Sequence, residues 1–299
     1  MKKIPYYIIL FFSLISCEDV IDVDLPETES RLVVNAVLRV DVSQEFIPIE
    51  IKVAETSSFF EQNEPTQLTS ATILYGVPSE NDPTLFEEEF SSSLTESAPG
   101  SGIYIPDPTF DTDQRIRTAS LEPGMVFNLI IEHNDESFFA STTYVTAPPI
   151  DNVEQGTAIL FSDDDTEVLV TFTDIPGVEN HYIFDFDFNE FLVLDDQFID
   201  GQQFEFSYFY DQNLVAGDFV EISILGADLE FFNYMNLIIE QTESNGGVFQ
   251  TPVATVRGNI FNTTGIDNEE VFDNSARQQS FPLGYFAVVQ EFKDFIIIE

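Results

Sequence analysis

The chain contains a single cysteine, and its position gives that cysteine a specific chemistry. Cys17 follows Ser16 at the end of an apolar run that begins at Ile4, and Lys2 and Lys3 precede the run. A positively charged start, a short apolar stretch and a small residue are the parts of a bacterial export signal. With cysteine in the next position, the pattern is that of a lipoprotein signal. We therefore expect cleavage before Cys17 and attachment of lipid to its thiol.

A transmembrane helix explains this N-terminal run less well. A membrane-spanning helix needs about 20 apolar residues, whereas the acidic pair Glu18 and Asp19 closely follows the run. We expect residues 1–16 to be a lipoprotein signal peptide and residues 17–30 to be an acidic tether. Acidic residues directly after the lipidated cysteine direct several Bacteroidota lipoproteins to the cell surface. Glu18 and Asp19 resemble that signal, so we expect an outer-membrane protein exposed at the cell surface.

Carboxylates are the most abundant chemical group in the chain. There are 54 Asp and Glu residues against 10 Lys and Arg, and the formal net charge is −44. This charge excludes nucleic-acid binding through phosphate neutralisation. Because Ca²⁺ prefers hard oxygen ligands, the acidic runs Asp163, Asp164 and Asp165 and Asp195 and Asp196 are candidate calcium ligands. A solvated acidic surface is the alternative interpretation, and we expect no other cofactor.

Motifs of known enzyme classes are absent from the sequence. The two histidines, His133 and His181, are too far apart for a metal-binding pair on one helix, which needs a spacing of four. We interpret His133 as an exposed turn residue and place His181 at the start of a strand. The carboxylates are too numerous for spacing to single out the acid and base of a glycosidase. We therefore expect no enzymatic activity, with a glycan or ester hydrolase as the less favoured alternative.

The remaining sequence is dominated by the patterns of short strands. About seven such patterns with turn residues between them predict an immunoglobulin-like antiparallel β-sandwich over residues 31–147. Pro148 and Pro149 mark a connector, and residues 148–299 are predicted to form a second β-rich domain. Within it, Phe and Asp alternate from Tyr182 to Phe188, which predicts a half-buried strand. Leu229, Phe232, Met235 and Ile239 recur at spacings of three and four, which predicts one helix near residues 228–242. The fold class is therefore mainly β.

Several segments resemble one family in order and spacing. They include the opening strand RLVVNAVL, the strand SATILYG, the run LEPGMVFNLIIEH, the segment FTDIPGVENHYIF, and the C-terminal pair RGNIFN and PLGYFAVV. On these motifs the chain resembles the Bacteroidota outer-membrane lipoproteins grouped as domain of unknown function 4249. The resemblance implies a surface lipoprotein often found alongside TonB-dependent receptors, and it supplies no catalytic residues.

Together these observations lead to one expected function and two alternatives. We expect a lipid-anchored, non-catalytic outer-membrane protein that is accessory to a TonB-dependent receptor in nutrient binding or uptake. The first alternative is a surface adhesion or interaction module stabilised by calcium. The second is the hydrolase mentioned above.

Overall fold

The structure, a computed structural model, describes residues 30–57, 63–160, 165–210, 212–243, 256–265 and 281–299. These ranges are mainly β, with one α-helix, which confirms the fold class expected from the sequence. The strands are β1 Leu32–Val40, β2 Ile51–Glu55, β3 Glu64–Pro65, β4 Ser70–Pro78, β5 Phe86–Glu96, β6 Ile103–Pro106, β7 Val126–His133, β8 Glu136–Thr143, β9 Ile150–Gln155, β10 Thr166–Thr173, β11 His181–Asp185, β12 Phe191–Asp195, β13 Gln203–Tyr210, β14 Phe219–Ala227, β15 Ile260–Asn262 and β16 Leu283–Ile297. The helix is α1, Leu229–Glu243, and a 3-10 turn covers Thr118–Ser120. Within the described ranges, no helix is both long and apolar enough to cross a bilayer.

Most of the strands belong to one extended sheet. Its order is β12–β11–β14–β16–β1–β2–β6–β5–β4–β7–β8–β15, with β3 beside β2, while β13, β10 and β9 form a second sheet. The pair β1–β16 is parallel, from Val33 opposite Leu283 to Val40 opposite Gln290. The last strand of the chain therefore lies between the first strand and β14, and the N-terminal and C-terminal β-rich regions share one sheet.

The apolar patterns of residues 284–289 and 294–299 predict two separate C-terminal strands, but the structure has one continuous strand, β16, so that prediction is wrong. Gln290 and Glu291 interrupt the apolar pattern between them, but each has a hydrogen-bond partner in the fold. Gln290 accepts a hydrogen bond from the backbone N–H of Ala147. Glu291 accepts one from the guanidinium of Arg39. Because these polar groups are satisfied, β16 continues without a break between β1 and β14.

Alternate residues of the central strands enter different cores. Val34, Ala36 and Leu38 of β1 are buried in the core of the N-terminal region, together with Phe286 and Val288 of β16. A second core lies where the sheet β13–β10–β9 covers β11 and β14. It is rich in phenylalanine rings in tilted and edge-to-face contact, and it contains Phe172, Phe184, Phe186 and Phe206. Such ring pairs contribute beyond their buried area.

Helix α1 packs on the opposite face of the large sheet. The carboxylate of Asp228 caps its start by accepting a hydrogen bond from the backbone N–H of Phe231 at 2.8 Å, a favoured cap geometry. Phe231 is buried against Ile183, Leu225 and Tyr285, on strands β11, β14 and β16. The face of the sheet that carries α1 is therefore apolar beneath the helix.

The strand expected over Tyr182–Phe188 is shorter and more deeply buried than the alternation indicates. Strand β11 ends at Asp185, because Asp187, Phe188 and Asn189 all have positive φ, of 65°, 52° and 64°, and form a turn into β12. Phe188 is 43% exposed in that turn. The first four residues of β11 are buried on both faces, since α1 covers one face and the second sheet covers the other. The prediction of a half-buried strand is therefore wrong.

A candidate ligand-binding groove

A cavity of about 840 Å³ opens on the face of the large sheet that carries α1. Val33 and Val37 of β1 and Tyr285 of β16 contribute to its floor, while Met235 and Ile238 of α1 contribute to its wall. We call this cavity the groove. Its volume lies within the range of about 300–1,000 Å³ that is typical of small-molecule sites.

The alternation of β1 explains why the groove exists. Since successive side chains of a strand point to opposite faces, Val33, Asn35, Val37 and Arg39 point away from the core that holds Val34. Helix α1 packs mainly on β11, β12 and β14, so it covers one part of this face and leaves the part above β1 open. The side chains of Val33 and Val37 are consequently only half-buried. The result is an apolar surface next to a helix that does not fill it.

A glycine sets the floor of the groove. Gly284 has a φ of +95°, and a Cβ built on it would lie 1.9 Å from the backbone oxygen of Val34. Only glycine adopts this backbone conformation readily and allows the two backbones to come so close. Gly284 therefore permits the close parallel pairing of β1 and β16 from which the floor is made.

Both cations of the described groove lining, Arg39 and Lys52, lie at one end of the groove. An adjoining cavity of about 380 Å³ is lined by both of them and by Lys293, together with the carboxylates of Asp41, Glu50 and Glu291. The Arg39 guanidinium donates to Asp185 at 2.5 Å and to Glu291 at 3.1 Å. Burial by itself would lower the pKa of Arg39, but the two carboxylates outweigh it and raise that pKa above its ordinary value. Arg39 is therefore charged under all ordinary conditions.

The ion pair of Lys52 is more exposed to solvent than the ion pairs of Arg39. Its ammonium group lies 3.2 Å from the carboxylate of Glu50, and the two side chains are 62% and 54% exposed. Exposed ion pairs of this kind contribute little to stability, because water and salt screen them. The ammonium of Lys52 can therefore exchange Glu50 for another anion at small cost.

The described carboxylates singled out from the sequence, Asp165, Asp195 and Asp196, do not line the groove. Outside the described residues lie Cys17, Glu18, Asp19, Asp163 and Asp164. Asp165 is half-buried just before β10. Asp195 is exposed at the end of β12, where its carboxylate accepts a hydrogen bond from the backbone N–H of Gln197 at 3.1 Å.

Asp196 belongs to a cluster with Asp174 and Asp200, two carboxylates that the sequence reasoning missed. One oxygen from each of the three lies within 4.8 Å of the others. Asp174 comes just before the Pro-Gly turn of FTDIPG and Asp200 just before a glycine, which are the signals that could have drawn attention to them. Three carboxylate oxygens at this spacing match the ligand chemistry of a hard cation.

Backbone donors already hold each carboxylate of this cluster. Asp196 accepts from the N–H of Asn180 at 2.9 Å, Asp174 from Gly201 at 2.7 Å, and Asp200 from Gly177 at 2.7 Å. The buried hydroxyl of Tyr182 donates to Asp174 at 2.5 Å. Hydrogen bonds of this kind to carboxylates are among the stronger ones in proteins. We assign the cluster the role of joining the loop after β10 to the loop after β12.

The interpretation of His133 as an exposed turn residue is wrong. His133 is the last residue of β7 and points to the buried face of that strand, so only 6% of it is exposed, while the turn itself is formed by the next two residues. Its Nε2 lies 2.8 Å from the carboxylate of Glu55 on β2, and its Nδ1 lies 3.2 Å from the backbone oxygen of Gln67. The hydrogen bond with His133 lowers the pKa of Glu55. His133 thus joins two strands of the sheet.

His181 starts β11, as the sequence indicates, and packs against α1. Its ring centroid lies 4.9 Å from that of Phe232, and the residue is 9% exposed. The two histidines therefore occupy separate parts of the described fold, one at the end of β7 and one beneath α1. Their contacts are those of packing and strand pairing.

The chain was compared with known protein families and with curated proteins. A family model described as "Domain of unknown function (DUF4249)" matches residues 18–271. No curated protein matches the chain. The matched range contains β1 and α1, which form one side of the groove, and ends before β16.

Proposed function

The chain belongs to the DUF4249 family, and we propose that it is a non-catalytic binding protein whose groove holds a partly apolar ligand. The observation that carries the proposal is the cavity of about 840 Å³ between α1 and the pair β1–β16. Sites for small molecules are concave and mostly apolar, with a few polar groups that orient the ligand. The groove has this composition, since valine, methionine and aromatic side chains surround it, and three of its polar residues, Asn35, Arg39 and Lys52, also line the adjoining cavity.

Introduction of a charge into the wall of the groove tests this proposal. The test uses the mature chain from residue 18, which keeps every described element, and the neutral fluorescent probe 1-N-phenylnaphthylamine. We expect saturable binding by the wild type. Met235→Glu and Ile238→Glu should each weaken binding by about tenfold or more, because a carboxylate in the wall would have to lose water to admit the probe.

The matched control is Phe198→Glu, which introduces the same charge at a residue that is 83% exposed and outside the groove. It should bind the probe as the wild type does. Circular dichroism melts identify any variant that fails to fold, and two wall positions are used so that one misfolded variant does not decide the result. Equal binding by the wild type and by both folded wall variants would refute the groove as the binding site.

The proposal includes anchoring of the protein to the outer membrane through lipid on Cys17. The sequence supports it with the signal in residues 1–16 and with the acidic tether in residues 17–30, directly before β1. Each buried CH₂ of an acyl chain contributes about 0.8 kcal/mol, so two or three chains make release negligible. In cells, Cys17→Ser should leave an unprocessed precursor or release the protein from the membrane fraction. Normal membrane retention of that variant would refute the anchor.

Exposure at the cell surface is a separate part of the proposal, and it depends on Glu18 and Asp19. The double variant Glu18→Gln, Asp19→Asn should remain in the outer membrane but lose its accessibility to protease added to intact cells. Unchanged accessibility would refute the export role of these two residues and leave the anchor itself unaffected.

We also propose that the protein assists a TonB-dependent receptor and delivers the ligand of the groove to it. The motifs shared with DUF4249 lipoproteins, which often occur alongside such receptors, support this partner. Purification of the native lipidated protein in mild detergent, followed by mass spectrometry, should identify a stoichiometric receptor. A protein that purifies alone under these conditions would refute the partnership, while the groove experiment would still decide ligand binding.

A further inference from the structure

We propose that the ligand of the groove is an amphipathic acid, a molecule with an apolar body and an anionic head group, with the head placed at Asn35, Arg39 and Lys52. This inference rests on the proposed function, because it names the chemical class of ligand for the same groove. The support for this inference is the distribution of charged residues around the groove.

The described residues that line the groove include no carboxylate, although the chain is rich in them. The chain has 54 Asp and Glu among 299 residues, so average composition would place about three among the seventeen described residues that line the groove. None of those seventeen is Asp or Glu, and two of them, Arg39 and Lys52, are cations. The charged side chains in the described lining of the groove are therefore all positive, although the protein is strongly negative and Arg39 is also paired with Asp185 and Glu291. Such a lining suits an anionic ligand better than a cation.

Cations are scarce in this chain, and they are concentrated at one end of the groove. The described ranges contain seven lysine and arginine residues, namely Arg31, Arg39, Lys52, Arg115, Arg117, Arg257 and Lys293. Three of them, Arg39, Lys52 and Lys293, line the groove or the cavity that adjoins it. The adjoining cavity also holds carboxylates, so only the described lining of the groove itself has charges of one sign, and a cleft lined in that way concentrates ligands of the opposite sign.

Buried carboxylates explain the positions of Arg39 and Lys293 but not that of Lys52. The Glu291 side chain is only 4% exposed and that of Asp185 is 16% exposed, so both carboxylates need the positive charge that Arg39 and Lys293 bring close to them. Among the described residues, the ion-pair partner of Lys52 is Glu50, and that side chain is 54% exposed. A carboxylate so exposed is stable in water without a partner. Lys52 is therefore the cation that can serve a ligand.

The arrangement of the lining also orients the ligand. Asn35, Arg39 and Lys52 all offer N–H donors, and all three lie where the groove meets the adjoining cavity. Met235 and Ile238 of α1 supply apolar surface in the same groove. A head group that accepts hydrogen bonds fits the first set, and an apolar chain or ring system fits the second. A neutral sugar would leave most of the apolar lining without a partner.

Two probes with the same apolar body, one with a charged head group and one with a neutral methyl ester, test the inference. They are 11-(dansylamino)undecanoic acid and its methyl ester, titrated into the mature chain from residue 18 at low ionic strength. We expect the acid to bind about five- to tenfold more tightly than the ester. This ratio is the gain in affinity that one charge-assisted hydrogen bond gives at a partly exposed site. Added salt should reduce this preference, because it screens the charges.

Lys52→Gln should abolish the preference for the acid while leaving the affinity for the ester nearly unchanged. The matched control is Arg117→Gln, which removes one positive charge at a residue outside the groove whose side chain is 59% exposed. That variant should retain the preference. Equal preference in Lys52→Gln and in the wild type would overturn the assignment of the head group to Lys52.

The pair of probes also separates this inference from the proposed function. Equal binding of acid and ester by the wild type would overturn the amphipathic acid and leave the groove as an apolar binding site. Failure of both probes to bind would overturn the proposed function as well.

Discussion

Asn259 is the residue whose replacement should reveal most about how the groove is held together. Its side chain is buried and pairs with two strands: Oδ1 accepts from the backbone N–H of Phe286 at 2.9 Å, while Nδ2 donates to the backbone oxygens of Phe286 at 2.8 Å and Ser141 at 3.0 Å. It therefore links β16 to β8. It also fixes the segment that starts at Val256, which lines the groove.

The expected cost of Asn259→Ala follows from these three hydrogen bonds. Each contributes about 1 kcal/mol net, and a buried backbone group left without a partner adds to the loss. We expect the free energy of unfolding to fall by about 3 kcal/mol, within a range of about 2–5. At about 2–4 °C per kcal/mol for a chain of this size, the melting temperature should fall by about 6–12 °C. Asn259→Asp should cost at least as much, because a carboxylate cannot donate to the two backbone oxygens.

Urea unfolding followed by circular dichroism measures this loss on the mature chain. The matched control is Asn236→Ala, which makes the same substitution on α1, where the amide donates a hydrogen bond to Glu240 at an exposed position. The control should stay within about 0.5 kcal/mol of the wild type. A loss below 1 kcal/mol for Asn259→Ala, or an equal loss in both variants, would show that the side chain does not hold β16 to β8.

Two further changes test the floor of the groove and the contact of His133. Gly284→Ala should lower the free energy of unfolding by about 3 kcal/mol. A left-handed alanine costs about 1–2 kcal/mol, and the new Cβ would also collide with the backbone oxygen of Val34 and force β1 and β16 apart. The control Gly100→Ala has a φ of +80° and nothing within 4 Å of the added Cβ, so it should cost only the left-handed conformation, and equal losses in the two variants would contradict the close contact between Gly284 and Val34. Because the pKa of Glu55 in the folded protein lies below its ordinary value of 4.5, its stabilisation is present above about pH 4.5 and is lost as the pH falls through the lowered pKa. The excess of wild type over Glu55→Gln in urea stability should therefore be largest near pH 7 and shrink as the pH is lowered below about 4.5, and a difference independent of pH would refute this.

Local patterns were enough to predict elements whose own residues favour one structure. The alternation of Gln203–Tyr210 predicts a strand with the bounds that β13 has. The apolar spacing after Asp228 predicts the helix, because a cap and an amphipathic face lie within its own residues. The mainly β class follows from many such segments, each of which places apolar side chains at a period of two.

Strand β5 shows where local patterns are not sufficient. Its sequence FEEEFSSSLTE has no apolar alternation, and the residues around Glu88 would be interpreted as a loop. It is a strand because β4 and β6 supply hydrogen bonds on both sides. Ser92 is buried there without penalty, since its hydroxyl donates to the backbone oxygen of Gln114 at 2.6 Å.

The amino-acid sequence alone determined the strands with clear alternation, helix α1 and the acidic character of the chain, and it predicts the N-terminal signal around Cys17. Tertiary structure alone decided that β16 pairs with β1, that Asp174, Asp196 and Asp200 meet, and that Arg39 and Lys52 stand at one end of an apolar groove. The physical reason is distance along the chain. The period of a strand is set by neighbouring residues, whereas the partner of a strand is set by which distant surfaces bury each other best, and neither local charge nor local hydropathy specifies that choice.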